Sequence, residues 1–144
     1  MRRWALAAAA SLGLAAAAAA QPTPDSFDAV KASAEISNLI ARRDVDAAVE
    51  AAARLMDGAT AAKIRDALDV VRSLGQAQYT DLVYARDIGR TEKDIIFKID
   101  FAKAFLFIRY LYHVDNGAWR LIHITIKREN DEAFPREWVH IYPK

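Results

Sequence analysis

Aromatic residues divide this chain into two unlike parts. Between residues 21 and 76 Phe27 is the single aromatic residue, whereas twelve Phe, Tyr and Trp residues follow residue 76. Aromatic and β-branched side chains favour strands, and alanine-rich segments with apolar residues three or four apart favour helices. The chain is therefore expected to form helices first and a sheet second.

Three helices are predicted in the first part. Ser26 suits the N-cap of the first helix, Asp44 or Asp46 that of the second, and Thr60 that of the third. Gly58 is expected to end the second helix. The apolar stripes of the three helices are Phe27, Val30, Ala34 and Ile40; Val45, Val49, Ala52 and Met56; and Ile64, Leu68, Val71 and Leu74.

Four strands are predicted in the second part, near residues 77–87, 93–101, 104–114 and 118–129. The clearest turn is Asn116-Gly117, because a type I′ turn needs positive φ at both central residues. The break near Ala102-Lys103 lacks Gly and Pro. Residues 94–114 are therefore also compatible with one bulged strand or a helical turn.

A two-residue turn at Asn116-Gly117 fixes which residues face each other across the last two strands. It pairs Val114 with Trp119, Tyr112 with Leu121, Tyr110 with His123, and Ile108 with Thr125. Alternation then places Tyr110, Tyr112, His123 and Thr125 on one face, together with Ile95, Phe97 and Ile99. This inner face is expected to lie against the helices.

The opposite, outer face mixes charged and apolar side chains. It is predicted to carry Lys98, Asp100, Arg109, His113 and Arg120 among Phe105, Phe107, Leu111, Ile122, Ile124 and Ile126. That mixture is too apolar for a fully solvated surface. Two covers are compatible with the sequence: a second copy of the chain, giving a homodimer, or the aromatic C-terminal segment Phe134–Tyr142.

Helices followed by a meander that ends in Gly117-Ala118-Trp119-Arg120-Leu121 resemble the nuclear transport factor 2-like, or cystatin-like, superfamily. The resemblance covers residues 26–129. It implies an α+β fold in which N-terminal helices pack on a curved antiparallel β-meander of about four strands, forming a cone whose mouth can hold a ligand. Residues 130–144 would lie outside the cone.

The same resemblance raises the question of catalysis. Isomerase and cyclase branches of the superfamily place acids, Tyr or His inside the cone, where Tyr110 and His123 would supply a donor and a titrating group here. Because no carboxylate joins them on the predicted inner face, we assign no catalytic residue and interpret these groups as core amphiphiles. An isomerase or dehydratase-like enzyme is the alternative.

The expected function is that of a binding or accessory module holding a small hydrophobic ligand in the cone. The candidate ligand-contacting residues are Tyr110, Tyr112, Trp119, His123 and Thr125. Trp119 either stacks on a ligand or closes the end of the core. A homodimeric structural scaffold is a further alternative, and it would have a filled cone.

Composition argues against several other classes. The chain has no cysteine, and its three histidines, His113, His123 and His140, lack metal-ligand spacing, so neither a metal nor another cofactor is predicted. Removing Arg2 and Arg3 with the leader changes the net charge from +1 to −1. Acids and bases are interspersed, which favours neither nucleic acid nor an anionic membrane as a partner.

Residues 1–20 have the pattern of a secretory signal peptide. Arg2 and Arg3 precede a run of small and apolar residues, and Ala18 and Ala20 suit cleavage before Gln21. The run is short and alanine-rich, so no stable membrane anchor is expected. The sequence thus predicts a periplasmic or secreted protein with a single domain over residues 21–144.

Overall fold

A computed structural model describes residues 26–128, which form three helices followed by a four-stranded sheet. The predicted signal peptide and the segment 130–144 lie outside these residues. The helices are α1 Ala29–Ala41, α2 Val45–Ala53 and α3 Gly58–Leu68, continued by a 3₁₀ helix over Asp69–Ser73. The strands are β1 Ala77–Ile88, β2 Glu92–Phe101, β3 Phe105–Asp115 and β4 Ala118–Lys127.

The sheet is an antiparallel meander in which the strands neighbour one another in chain order, β1-β2-β3-β4. The helices pack on its inner face, so the predicted α+β fold class is confirmed. Between residues 94 and 114 the chain forms two strands, β2 and β3, and the alternative of a helical turn is wrong. Within residues 26–128 no helix is long and apolar enough to cross a membrane.

An aspartate caps each of the three helices. The carboxylates of Asp28, Asp44 and Asp57 accept hydrogen bonds from the backbone N–H three residues on, at 2.9, 3.1 and 2.9 Å. The side-chain hydrogen bond with Thr60 is the main cause that lowers the pKa of Asp57 from its ordinary value. An ionised carboxylate also interacts favourably with the positive end of the helix dipole.

These caps confirm Asp44 and correct the other two predicted helix starts. Asp28 replaces Ser26 as the first cap, and Asp57 replaces Thr60 as the third. Gly58 does not end the second helix; it is the first residue of α3, and α2 already ends at Ala53. Each error comes from choosing one of several neighbouring residues that can all cap a helix.

The core lies between the helices and the inner face of the sheet. Spacing of three or four residues turns one side of α1 towards β2, where Ile36 and Ile40 are buried with the hydroxyl-bearing Ser33 and Ser37. The largest fully buried aliphatic side chains of this core are Ile40, Leu68, Ile95, Ile99, Leu106, Ile108 and Leu121.

The turn between β2 and β3 forms without Gly or Pro because the segment before β1 holds it. The Ala102 amide donates to the Gln76 carbonyl at 2.9 Å, and the Lys103 amide donates to the Leu74 carbonyl at 3.2 Å. Gly75, at φ 84°, brings its backbone close to this turn. A Cβ at position 75 would lie 3.2 Å from the Ala102 Cβ.

The β3–β4 hairpin begins as predicted and then changes register. Asn116 and Gly117 have φ of 50° and 77°, and the pairs Val114–Trp119 and Tyr112–Leu121 form. A bulge at Ile122 follows, so that His123 pairs with Leu111. Beyond it the observed pairs are Tyr110–Ile124, Arg109–Thr125 and Ile108–Ile126.

The bulge exchanges the faces of the second half of β4. The predicted pairs Tyr110–His123 and Ile108–Thr125 are wrong, and both His123 and Thr125 lie on the outer face. Ile124 and Ile126, predicted on the outer face, pack instead against the core. The physical reason is that the bulge brings two isoleucines to the core in place of a histidine and a threonine.

Candidate functional site

The core between the helices and the sheet contains two tyrosine–serine pairs that join the sheet to α1. The hydroxyls of Tyr110 and Ser37 are 2.7 Å apart, and those of Tyr112 and Ser33 are 2.9 Å apart. Two residues along a strand and four along a helix span similar distances, so both pairs form side by side. All four side chains are buried.

Burial sets the protonation state of these tyrosines. Removal from water raises the pKa of both Tyr110 and Tyr112 above the ordinary value, and the hydrogen bonds to serine offset only part of that rise. Both phenols therefore keep their protons at neutral pH. Their hydroxyls serve to pair buried polar atoms, and each partner is a serine rather than an acid or a base.

Trp119 lies in the core beside Phe27, which precedes α1. It is buried, and the Phe27 ring stacks against it with centroids 6.3 Å apart and planes inclined by 23°. The Lys93 ammonium lies 5.1 Å from the centre of the Trp119 ring. Phe27 also contacts Tyr112, with ring centroids 5.4 Å apart. Trp119 thus closes the end of the core, and Phe27 packs over it.

The five candidate ligand-contacting residues do not form one site. Tyr110, Tyr112 and Trp119 share the inner face, but helix residues bury them. His123 is exposed and Thr125 half-buried on the outer face, on the other side of the sheet from the tyrosine hydroxyls. A site that combines all five residues is therefore not compatible with the observed register.

A cleft of about 460 Å³ opens beside these residues, between the start of α1 and the β1–β2 hairpin. We call it the mouth cleft. Its lining comprises Ser26, Phe27, Asp28, Ala29, Val30, Ala85, Arg86, Asp87, Lys93 and Ile95. Five of these ten lining residues are apolar and five are polar or charged, so the surface of the cleft is mixed.

The rim of the mouth cleft is charged. Lys93 donates a hydrogen bond to the Asp87 carboxylate at 2.6 Å, across the β1–β2 turn. Arg86 and Asp28 complete the charged part of the lining. A small-molecule site usually combines apolar side chains with a few polar groups, and the lining of the mouth cleft contains both kinds in equal number.

The sequence contained part of the signal for this cleft. The helical stripe already groups Phe27 with Val30, and strand alternation places Ile95 on the inner face. The turn at Gly89-Arg90 also indicates that residues on either side of it, such as Asp87 and Lys93, pair. What was missing was the register of β1, which contains bulges at two places.

The outer face carries a second group of buried residues. Arg109 donates two hydrogen bonds to the Asp94 carboxylate, at 2.8 and 2.6 Å, and Asp94 is only 1% exposed. Ile96 and Phe107 are buried beside this ion pair, with Val83 and Tyr84 packed against them. We call Val83, Tyr84, Ile96, Phe107 and the Asp94–Arg109 pair the outer patch.

The predicted outer-face residues are confirmed apart from the two isoleucines moved by the bulge. The burial of Asp94 was not predictable, because an Asp inside a strand gives no signal of its own burial. Among residues 26–128 no group of three or more His, Asp or Glu side chains is arranged to hold a metal ion. In comparisons with protein-family models, curated proteins and solved structures, nothing matches this chain.

Proposed function

We propose that this chain is an exported, non-catalytic binding module that holds a small, mainly apolar ligand in the mouth cleft. One observation carries the proposal: the cleft has a volume of about 460 Å³, and apolar residues make up half of its lining. Pockets that bind small molecules have volumes of roughly 300–1,000 Å³. The proposed ligand position is therefore the mouth cleft, and not the space around the buried tyrosines that the sequence favoured.

Packing of the cone supports a mouth position for the ligand. Tyr110, Tyr112 and Trp119 already contact Ser37, Ser33 and Phe27, so a ligand that reached them would have to break buried hydrogen bonds and ring contacts. At the mouth, a ligand adds apolar contacts to Val30, Phe27 and Ile95 without breaking any of these. The Lys93–Asp87 pair lies beside it at the rim.

The arrangement of the tyrosines favours binding over catalysis. The isomerase alternative needs Tyr110 and His123 next to one reacting carbonyl. His123 lies on the outer face, and the Tyr110 hydroxyl is paired with Ser37 on the inner face. A general acid and base must each come within hydrogen-bond reach of the substrate, which two opposite faces of a sheet do not allow.

Export and family remain parts of this proposal. The leader pattern at residues 1–20 supports a periplasmic or secreted location. The order of three helices and a four-stranded meander, with Gly117-Ala118-Trp119 at the last turn, supports a relationship to the nuclear transport factor 2-like superfamily. Fold resemblance alone does not identify a ligand.

A matched pair of substitutions tests the mouth cleft. Ala85 is exposed and lines the cleft from β1, so Ala85→Phe fills it without disturbing the core. Ala53 is exposed on α2, outside the lining, and Ala53→Phe is the control. The probe is 1-anilinonaphthalene-8-sulfonate, which has an apolar ring system and one anionic group, titrated by its own fluorescence.

We expect Ala85→Phe to weaken binding of this probe at least tenfold and Ala53→Phe to leave it unchanged. Circular dichroism and urea unfolding establish that both variants are folded. Equal binding by the two variants would show that the probe does not use the mouth cleft. No saturable binding by the parent protein would contradict the proposal directly.

A further inference from the structure

The outer patch is far more buried than the outer-face residues around it. Ile96 is 0% exposed, Phe107 5% and Asp94 1%, whereas Phe105 is 41% and Ile122 46% exposed. All five lie on the outer face, away from the helices. The exposed fraction therefore falls steeply from the edge of this face to its centre.

Neighbouring residues of the same sheet explain only part of the burial of these side chains. Side chains stand roughly perpendicular to a sheet, so Val83 and Tyr84 shield the sides of Ile96 while its tip points away from the strands. A buried carboxylate is also costly unless it is paired, and the Asp94–Arg109 pair has that arrangement. Such a centre is typical of a face that is covered by another layer.

We propose that residues 134–142 of this same chain pack on the outer patch and cover it. The segment contains Phe134, Trp138, Val139, Ile141 and Tyr142 within nine positions. These are the large apolar side chains needed to shield Ile96 and Phe107 from water. The proposal does not depend on a ligand in the mouth cleft, whose strand residues Ala85, Lys93 and Ile95 lie on the inner face.

The chain after β4 is long enough, and leaves the sheet near enough, for residues 134–142 to reach the outer patch. β4 ends at Lys127, whose partner across the ladder is Phe107, so the chain leaves the sheet beside the patch. Seven residues of extended chain, from 127 to 134, span at most about 24 Å. The centre of β2 lies two strand spacings from β4, roughly 10 Å away.

The alternative to residues 134–142 as the layer over the outer patch is a second copy of the chain. Disulfide trapping distinguishes these two alternatives. Because the chain has no cysteine, introduced thiols have no natural partner. Thr125 lies on the outer face of β4 beside Arg109. Thr125→Cys is combined in turn with Val139→Cys, Ile141→Cys and Tyr142→Cys in the full mature chain, and each pair is oxidised in a glutathione redox buffer.

The matched control replaces Thr125→Cys by Ala62→Cys, at an exposed position of α3 on the helical side of the molecule. We expect at least one outer-face pair to form a disulfide within one chain at least tenfold faster than its control pair. Mass spectrometry and non-reducing gels identify the product as a cross-linked monomer. Light scattering of the unmodified protein gives the mass in solution.

Two results would overturn the proposal. Equal rates for all outer-face pairs and their controls would show that the segment does not rest on this face. A disulfide-linked dimer formed by Thr125→Cys alone, with a dimer mass for the parent, would show that a second copy covers the patch. A monomer mass with an intrachain disulfide supports the cover by residues 134–142.

Discussion

At the scale of single residues, the tyrosine–serine pairs test whether the space between α1 and the sheet is a packed core. Ser37→Ala leaves the Tyr110 hydroxyl buried without its partner, and we expect a loss of about 1–3 kcal/mol in the free energy of unfolding. Replacing both partners, as Ser37→Ala with Tyr110→Phe, removes the unpaired group and should recover much of that loss. Urea unfolding of the two single variants and the double variant measures the coupling.

The Ser33–Tyr112 pair provides the matched comparison for this cycle, because it has the same chemistry one helical turn away. A similar pattern in both pairs is expected. A Ser37→Ala variant as stable as the parent would instead mean that the Tyr110 hydroxyl reaches water, and that the core is open at this point.

Because of the same two tyrosines, the free energy of unfolding should decrease as the pH rises in the alkaline range. An unfolded tyrosine ionises near its ordinary value of 10.0, whereas burial raises the pKa of Tyr110 and Tyr112 in the folded chain. Their contribution to stability is therefore complete below pH 10 and is lost as the pH rises from 10 towards the folded-state pKa. Each phenol should lower the free energy of unfolding by about 1.4 kcal/mol per pH unit in that window.

Urea unfolding between pH 9 and 11 measures this slope, and absorbance of the phenolate shows when each tyrosine ionises. Tyr110→Phe is the control, since it should remove one phenol's share of the slope. Ionisation of both tyrosines near pH 10 in the folded protein would contradict the buried pairs.

At the scale of elements, the β3–β4 turn requires a glycine, whereas the start of α3 does not. Gly117 has φ of 77°, which costs a side-chain-bearing residue about 1–2 kcal/mol, so Gly117→Ala should destabilise the protein by about that amount. Gly58 begins α3, and a Cβ there meets nothing within 4 Å. Gly58→Ala should be neutral or stabilising by up to about 1 kcal/mol.

Thermal or urea unfolding of these two variants separates the two effects. Equal changes for both would contradict the left-handed turn at Gly117. Loss of stability in Gly58→Ala alone would contradict its position in the first turn of α3.

Some elements were predictable from the sequence because neighbouring residues determine them. Others were not, because they depend on packing between residues distant in the sequence. Asn116-Gly117 determines its own turn, and the strand positions followed from runs of β-branched and aromatic residues. The bulge at Ile122 has no such local signal. It forms because the segment Ile122–Ile126 alternates apolar and polar residues, and one extra residue brings Ile124 and Ile126 to the core.

At the scale of the whole molecule, the candidate site comes from elements that are distant in sequence. The start of α1 and the β1–β2 hairpin contribute Val30, Ala85 and Ile95 to one cleft. Sequence patterns gave the face of each residue separately, but the bulges in β1 and the position of α1 on the sheet depend on tertiary packing. For that reason the fold class was predictable and the position of the candidate site was not.

The central claim is that the mouth cleft carries a ligand, and native mass spectrometry of the protein purified from its own host tests it most directly. We expect a reproducible mass above that of the polypeptide alone, and the loss of this extra mass in Ala85→Phe but not in Ala53→Phe. A bare polypeptide mass in repeated preparations, or an added mass unaffected by Ala85→Phe, would contradict the account.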